Sequence, residues 1–227
     1  MTWYASEVLA KCNEALLAAV MNEPRIAAHA YLIQEPIPYE INGTQSVFHP
    51  PEGGLLVIRP ICDPETHCAS WHNSEVLSWH SLSGPSDVTV LLPQSLGKHV
   101  DQERLDEFPP VAFLSYLKKL AMVSNADLVF FHCFMWGGDT EFEYSWSFGR
   151  REQVSLVLEP GVTSKVARSC STSIELLDLD LLSDALAYLG APIPSPFCIL
   201  HTGGFPWERF KVVPAGLVTN EANQNYK

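Results

Sequence analysis

The chain has 227 residues, of which 26 are Asp or Glu and 14 are Lys or Arg, so its formal net charge is −12. Binding to a nucleic-acid backbone or to an anionic membrane surface requires clustered Lys and Arg, and this balance argues against both. A neutral or basic small molecule, a basic protein partner or simple solubility remain as explanations of the charge. A chain of this length can bury a core without disulfides or a metal, and one domain is the better expectation.

The first residues of the chain do not have the pattern of a secretory signal. They contain no basic region, and Glu7, Lys11 and Glu14 interrupt the first apolar stretch. No stretch approaches the run of about 18 apolar residues that predicts a transmembrane helix. The cysteines are scattered, and reduced thiols in a cytoplasmic protein explain them most simply. We therefore expect a cytoplasmic location.

In the first half of the chain, apolar periodicity predicts helices and strands. Spacings of three and four apolar positions predict a helix over residues 6–22, which Pro24 ends. A second helix is predicted from Pro109 to about Val123, because proline suits the first turn of a helix. Residues 41–54 are predicted to be a loop or hairpin connection. Strands are predicted over residues 26–35, 55–61, 76–82 and 88–92.

The second half contains the clearest strand pattern. Leu128 to Met135 are apolar and aromatic, which predicts a central strand, and the paired glycines that follow predict a tight turn. Residues 141–148 alternate between polar and aromatic side chains, which is typical of a half-buried strand. Alternating apolar residues from Val154 to Leu158 predict one more strand. We therefore expect a three-stranded antiparallel meander over residues 128–159.

A third helix is predicted over residues 178–189, and Gly190 is a natural helix end. Short strands are predicted over residues 197–200 and 209–213, and a polar tail over residues 220–227.

The predicted fold class is α+β, with an antiparallel-dominated sheet and about three helices. No internal repeat or linker divides the sequence, so a single domain is expected over residues 1–219. Whether residues 1–120 and 121–227 form separate lobes is left open.

The acid excess is concentrated in stretches without basic residues. No Lys or Arg occurs between Lys119 and Arg150, or between Arg168 and Arg209. An acidic surface accelerates the capture of a basic partner, whereas a solvated acidic face is the alternative without a function. The candidate partner-binding acids are Asp139, Glu141, Glu143, Asp178, Asp180 and Asp184.

Glu141 and Glu143 are predicted to share the polar outer face of their strand, about 7 Å apart. A polar outer face of an antiparallel sheet gives the same pattern without any function. Paired carboxylates can also perform acid–base catalysis, and binding of a basic side chain is favoured over catalysis. Trp207, in the stretch from His201 to Phe210, is a candidate aromatic anchor for a partner. Docking of that stretch on the core is the favoured alternative.

The common catalytic and cofactor motifs are absent from the sequence, and no cofactor is expected. Four residues of zinc-ligand type lie close together in a polar stretch, but their spacing is not a standard one, so ordinary loop residues are favoured. These weak metal candidates are Cys62, His67, Cys68 and His72. His132 and Cys133 are adjacent in a predicted strand, so they point to opposite faces and cannot pair as base and nucleophile.

Two segments carry a resemblance to a known class of proteins. One is Trp136-Gly137-Gly138-Asp139 followed by residues 141–149, and the other is His201-Thr202 followed by residues 205–210. Both resemble stretches of small acidic bacterial immunity proteins, which are encoded beside polymorphic or secreted toxins. The resemblance implies a non-enzymatic protein that binds and neutralises one cognate toxin through acidic patches and variable loops. It carries over no individual functional residue.

Two other hypotheses stay open. One is a cytosolic, hydrolase-like enzyme without a recognisable motif, its site assembled around His132, His201 and the acidic strand 139–143. The other is a structural or assembly subunit in which exposed Trp and Phe form an interface. The oligomeric state is not predicted.

Overall fold

The computed structural model describes residues 3–41, 43–59, 92–100, 108–136, 139–161, 164–170, 173–193, 199–201 and 204–212. The helices in these ranges are α1 (Glu14–Met21), α2 (Pro24–Ala27), α3 (Gln94–Gly97), α4 (Val111–Ser124) and α5 (Leu181–Tyr188). The strands in the first half are β1 (Trp3–Lys11), β2 (Ala30–Ile33), β3 (Ile37–Ile41), β4 (Thr44–Phe48) and β5 (Leu55–Ile58). Those in the second half are β6 (Leu128–Trp136), β7 (Asp139–Phe148), β8 (Gln153–Glu159), β9 (Lys165–Cys170) and β10 (Ser173–Asp178).

Eight strands form one antiparallel sheet in the order β10-β9-β8-β7-β6-β1-β5-β2, and β3 and β4 form a separate hairpin. The N-terminal strand β1 joins the two halves of the chain, because it pairs with β5 on one side and with β6 on the other. Residues before and after position 120 therefore share one sheet, and the fold is a single-domain α+β fold as predicted.

The prediction of one helix over residues 6–22 is wrong in its first part. Residues 3–11 form β1, and only residues 14–21 form a helix, capped by Asn13, whose side chain accepts a hydrogen bond from the Leu16 amide at 2.8 Å. Residues 5–10 are all buried, since β1 lies inside the sheet with both faces covered. The alternation that marks a half-buried strand is absent from such a strand, so its apolar spacing also fits a helix.

Several shorter predictions also need correction. The strand expected over residues 26–35 is α2 followed by β2, and Pro24 begins α2 instead of only ending the helix before it. In the strands expected over residues 197–200 and 209–213, the described residues 199–200 and 209–210 belong to 3-10 turns, and Lys211 makes an isolated bridge to Tyr31. Residues 197, 198 and 213 lie outside the described part of the chain.

The meander over residues 128–159 is confirmed as β6, β7 and β8. A β-bulge interrupts its first pairing, since Phe134 pairs with Phe142 whereas the next residue, Met135, pairs with Thr140. Glu141 is the extra residue of that bulge. The strict alternation expected along β7 therefore does not hold at Glu141.

The sheet is the middle of three layers. One face, which includes Val8 and Phe130, packs against α1 and α4. The opposite face, which includes Leu9 and Phe131, packs against α5, the β3–β4 hairpin and residues 199–210. Each large apolar side chain buried in these layers contributes roughly 1.5–3 kcal/mol to folding. None of the helices in the described part of the chain is long and apolar enough to cross a bilayer.

The second and third helices are confirmed as α4 and α5, with shifted ends. Helix α4 follows Pro110 and ends at Asn125, whose backbone is left-handed with φ of 49°. Helix α5 begins only at Leu181, because Asp178 still belongs to β10. The two strands β9 and β10 were not predicted.

Some predicted features lie outside the described residues. They are the strand over residues 76–82, all but Leu92 of the strand over residues 88–92, the four candidate zinc ligands at positions 62, 67, 68 and 72, and the tail over residues 220–227.

Candidate functional site

The polar face of β7 is buried, which corrects the expectation of a solvated outer face. Glu143 is 8% exposed, Ser145 is 2% exposed and Ser147 is 1% exposed. The cause is long-range, because α5 packs over this face and contacts both β6 and β7. A charged group in such a place needs a compensating partner or loses its charge.

Two of the candidate partner-binding acids are neutralised within the chain. Asp178, at the end of β10, forms an ion pair with Lys165 at the start of β9, and both side chains are more than half exposed. Asp184 in α5 accepts hydrogen bonds from the guanidinium groups of Arg168 at 2.9 Å and of Arg151 at 3.1 Å. These bonds tie β9, and the turn before β8, to α5. Asp178 and Asp184 therefore add less negative charge to the surface than the sequence suggests.

Asp180, at the start of α5, lies near enough for its charge to act on Glu143. Asp180 caps the helix, since its side chain accepts a hydrogen bond from the Ser183 amide at 2.7 Å. This is the usual function of Asp at that position. Burial and the neighbouring charge of Asp180 raise the pKa of Glu143 to about 8. We call these two residues the Glu143–Asp180 pair.

No cation from the described part of the chain acts on Glu143, since no influence that lowers its pKa is found there. Cys133, opposite Glu143 in β6, is 2% exposed. Burial, with the charges of Glu143 and Asp180, raises the pKa of its thiol. The thiol is therefore neutral at ordinary pH. Among the described residues, Glu143 is thus a buried acid on which no cation acts.

The remaining acids of β7 are placed differently. Glu141 is exposed at the bulge, so it does not continue the buried face of Glu143. Asp139 begins β7 and its backbone pairs with that of Trp136, while its side chain lies outside the described part. The charge of Asp180, which is distant in sequence, thus acts on Glu143, whereas Glu141, which is near in sequence, is exposed and does not share its buried face.

A second buried polar cluster lies on the same sheet face, where β1 adjoins β5. Glu7 in β1 is 1% exposed; its Oε1 accepts from His201 Nε2 at 2.6 Å, and its Oε2 lies 3.3 Å from Arg59 Nε. Burial acts to raise the pKa of Glu7. The charge and hydrogen bond of His201, with the charge of Arg59, outweigh burial and hold the pKa below its ordinary value. This cluster fixes residues 199–201 to the middle of the sheet.

Sequence reasoning missed Glu7, which was noted only because it interrupts an apolar stretch. A single acid within a run of buried residues is the signal that could have identified it, since such an acid needs a cation nearby.

Trp207 docks on the β2–β5 side of the sheet. Its ring packs edge-on against Tyr31 with ring centroids 5.1 Å apart, and against Phe205 at 4.5 Å. The guanidinium of Arg59 lies over the Trp207 ring, 4.1 Å from its centroid. Arg59 therefore links Trp207 to Glu7. These contacts within the chain cover much of the Trp207 side chain, which was a candidate anchor for a partner.

His132 and His201 lie on opposite faces of the sheet, so the structure does not bring together the two histidines named in the enzyme alternative. His132 is fully buried and stacks on Tyr144, with centroids 5.0 Å apart, on the face covered by α4. His201 lies on the face covered by α5, beside Phe131. Among the described residues, no group of three or more His, Cys, Asp or Glu side chains is close enough to hold a metal ion.

Comparison with known proteins gives no relative from which residues or roles could be transferred. No protein-family model matches the sequence, and neither a curated protein nor a solved structure is significantly similar to the chain.

Proposed function

We propose that this chain is a non-enzymatic, immunity-type protein that neutralises a cognate bacterial toxin by binding it. In this proposal the Glu143–Asp180 pair receives a Lys or Arg side chain of the toxin. The observation that carries the proposal is that some of the candidate acids form ion pairs with basic residues and others do not. Asp178 and Asp184 have basic partners within the chain, whereas among the described residues no cation acts on Glu143.

The energetics of the pair favour an external cation. Two neighbouring carboxylates in a poorly hydrated place repel each other, and one of them keeps its proton at the expense of the other's charge. A basic side chain that binds between the two carboxyl groups is attracted by their charge and donates hydrogen bonds to them away from water. It does not have to displace an internal cation. The net charge of −12 would accelerate the encounter with a basic partner.

The resemblance of residues 136–149 and 201–210 to immunity proteins supports the same class of function. The first segment includes Glu143 itself, and the second includes His201 and Trp207, which pack on the same sheet face. The proposal thus places the specific contacts at the beginning of α5, near the end of β6 and in the first half of β7.

Co-expression with the product of the adjacent gene tests the proposal. The expected result is a stable complex in size-exclusion chromatography and loss of toxicity in the producing cells. A neighbouring gene that encodes no toxin, or two proteins that fail to co-purify, would refute the assigned function.

Variants of the chain locate the contact. Replacing Glu143 by Gln together with Asp180 by Asn removes the charge of the pair, and Asn retains the ability to cap α5. Loss of a buried interfacial charge pair weakens binding by about 2–5 kcal/mol, which is roughly 30-fold or more. The matched control is Asp178→Asn, because Asp178 already has Lys165 as its partner. If the unmodified protein, the double variant and Asp178→Asn all bind the toxin with equal affinity, the proposed role of the pair is refuted.

A further inference from the structure

We propose that the outer edge of β10 binds an extended segment of a partner protein in which Lys or Arg stands next to apolar residues. The segment joins the sheet as one more strand beside β10. This inference does not rest on the toxin assignment, because it concerns the backbone edge of the sheet and not the Glu143–Asp180 pair.

The two ends of the eight-stranded sheet are covered to different extents. At one end, β2 is largely buried and is contacted by the chain itself, since Lys211 bridges to Tyr31 and the Val212 amide donates to the Ala30 carbonyl at 3.0 Å. At the other end, β10 pairs with β9 over its whole length, and no described strand pairs with its other side. In an antiparallel sheet every second residue directs its N–H and C=O groups to the same side. Half of the backbone groups of β10 therefore lie on an edge that no described strand occupies.

Strand β10 lacks the features that usually prevent an edge from pairing. Natural sheets protect their edges with Lys, Pro, a bulge or a very short strand. β10 has six residues, contains neither Lys nor Pro, and pairs with β9 without a register shift. Four of the six residues are exposed, and Leu176 is 72% exposed. A regular edge with an exposed apolar side chain favours the addition of another strand.

Glu175 gives this edge its preference for a basic partner. It lies opposite Arg168 in β9, but the guanidinium of Arg168 donates to Asp184 in α5 at 2.9 Å and to Ser155 at 3.3 Å. Within the described ranges Glu175 has no Lys or Arg partner, and its carboxylate accepts only a weak bond from the Cys170 thiol at 3.6 Å. A Lys or Arg opposite Glu175 on an added strand supplies a cross-strand ion pair.

Leu176 adds an apolar requirement to the partner. Adjacent strand residues point to opposite faces of a sheet, so the added strand needs a basic and an apolar residue at neighbouring positions to match Glu175 and Leu176. Leu176 lies opposite Ala167, on the face that α1 and α4 cover, and an apolar side chain beside it would cover its exposed surface. A second copy of this chain fits the edge poorly, because two acidic edges would meet and each chain has a net charge of −12.

Amide hydrogen exchange of the full chain, followed by NMR at pH 7, tests the inference. The probe is an acetylated and amidated octapeptide of alternating Lys and Val, and its matched control has Glu in place of Lys. We expect the β10 amides that do not face β9 to exchange fast in the free protein. The Lys–Val octapeptide should slow their exchange, whereas the Glu–Val octapeptide should not.

Variants of β10 separate the charge from the apolar contact. Glu175→Gln should weaken binding of the Lys–Val octapeptide about 1.5- to 5-fold, which is the effect of losing one cross-strand ion pair. Glu14→Gln removes an exposed acid of α1 and should leave this binding unchanged. Leu176→Lys should abolish it, because a Lys on the edge repels the peptide and prevents strand addition. Since Leu176 is exposed, this substitution leaves the core intact.

Three results would overturn the inference. Slow exchange of all β10 amides in the monomeric free protein would mean that the chain itself covers the edge. Concentration-dependent dimers in light scattering, with the same amides protected, would make a second copy the occupant. Protection of β10 by both octapeptides equally, or by neither, would refute the edge as a site for a basic strand. None of these results decides whether the chain binds the product of the adjacent gene, so the proposed function is tested separately.

Discussion

Replacing Glu143 by Gln removes the ionisation of a buried carboxyl and should change how the stability of the protein depends on pH. The pKa of Glu143 is about 8 in the folded protein, against an ordinary value of 4.5 for the unfolded chain. Between these two values the unfolded chain has lost the proton while the folded protein retains it. Unfolding therefore releases a proton, and a rise in pH favours the unfolded state.

The expected magnitude follows from the same two values. Each pH unit lowers the free energy of unfolding by about 1.4 kcal/mol, so the full effect is roughly 5 kcal/mol and is complete near pH 8. This is a large part of the 5–15 kcal/mol that is typical of a folded domain. Gln has nearly the same shape and no ionisation, so the variant should lack this decline.

The assay is urea unfolding, followed by tryptophan fluorescence, at intervals from pH 5 to pH 9. The difference in unfolding free energy between Glu143→Gln and the unmodified protein should change in favour of the variant as the pH rises, and then level off above pH 8. Glu141→Gln is the matched control, since Glu141 is an exposed acid of the same strand. Parallel pH curves for Glu143→Gln and the unmodified protein would refute the argument that Glu143 is buried without compensation.

Two further predictions concern stability away from the pair. Glu7→Gln should lower the free energy of unfolding at pH 7 by about 3 kcal/mol, because it leaves the guanidinium of Arg59 without its buried counter-ion. The pKa of Glu7 is lowered in the folded protein, so the stabilisation by ionised Glu7 is present above pH 4.5 and is lost as the pH falls through the pKa of the folded protein. The difference in unfolding free energy between the unmodified protein and Glu7→Gln, measured by urea unfolding, should therefore become smaller at low pH. Gly149→Ala should cost about 1–3 kcal/mol, because Gly149 has φ of +107° and an added Cβ would lie 2.7 Å from the Ala126 carbonyl oxygen. Gly97→Ala, where no atom lies within 4 Å of an added Cβ, is its control, and equal urea midpoints for the two variants would contradict the prediction.

Elements with a strong local pattern were predictable from the sequence. Helix α4 has apolar positions at helical spacing, and its two lysines, Lys118 and Lys119, are exposed as the pattern indicates. The meander was predictable because its turns contain glycine and its strands alternate. By contrast, β9 and β10 are short and rich in polar residues, and a pattern of this kind does not distinguish a strand from a loop.

For the candidate site, the sequence predicted which acidic residues belong to it but not which of them have basic partners. The sequence identified Glu143, Asp178, Asp180 and Asp184 as uncompensated because it contains no basic residue close to most of them along the chain. The partners of Asp178 and Asp184 come from other elements, so their neutralisation depends on how α5 and β10 pack.

By itself the sequence determined the α+β class, the amphipathic α4, the meander and the excess of acid, because these follow from composition and from contacts between near neighbours. The tertiary structure decided which acids keep a net charge and which face they occupy. Residues 3–11 became a strand because β5 and β6 pair with them from both sides. Glu7 and His201 are 194 positions apart, and they meet only when the sheet has formed. Pairing across such a separation depends on the fold as a whole, so no local pattern contains it.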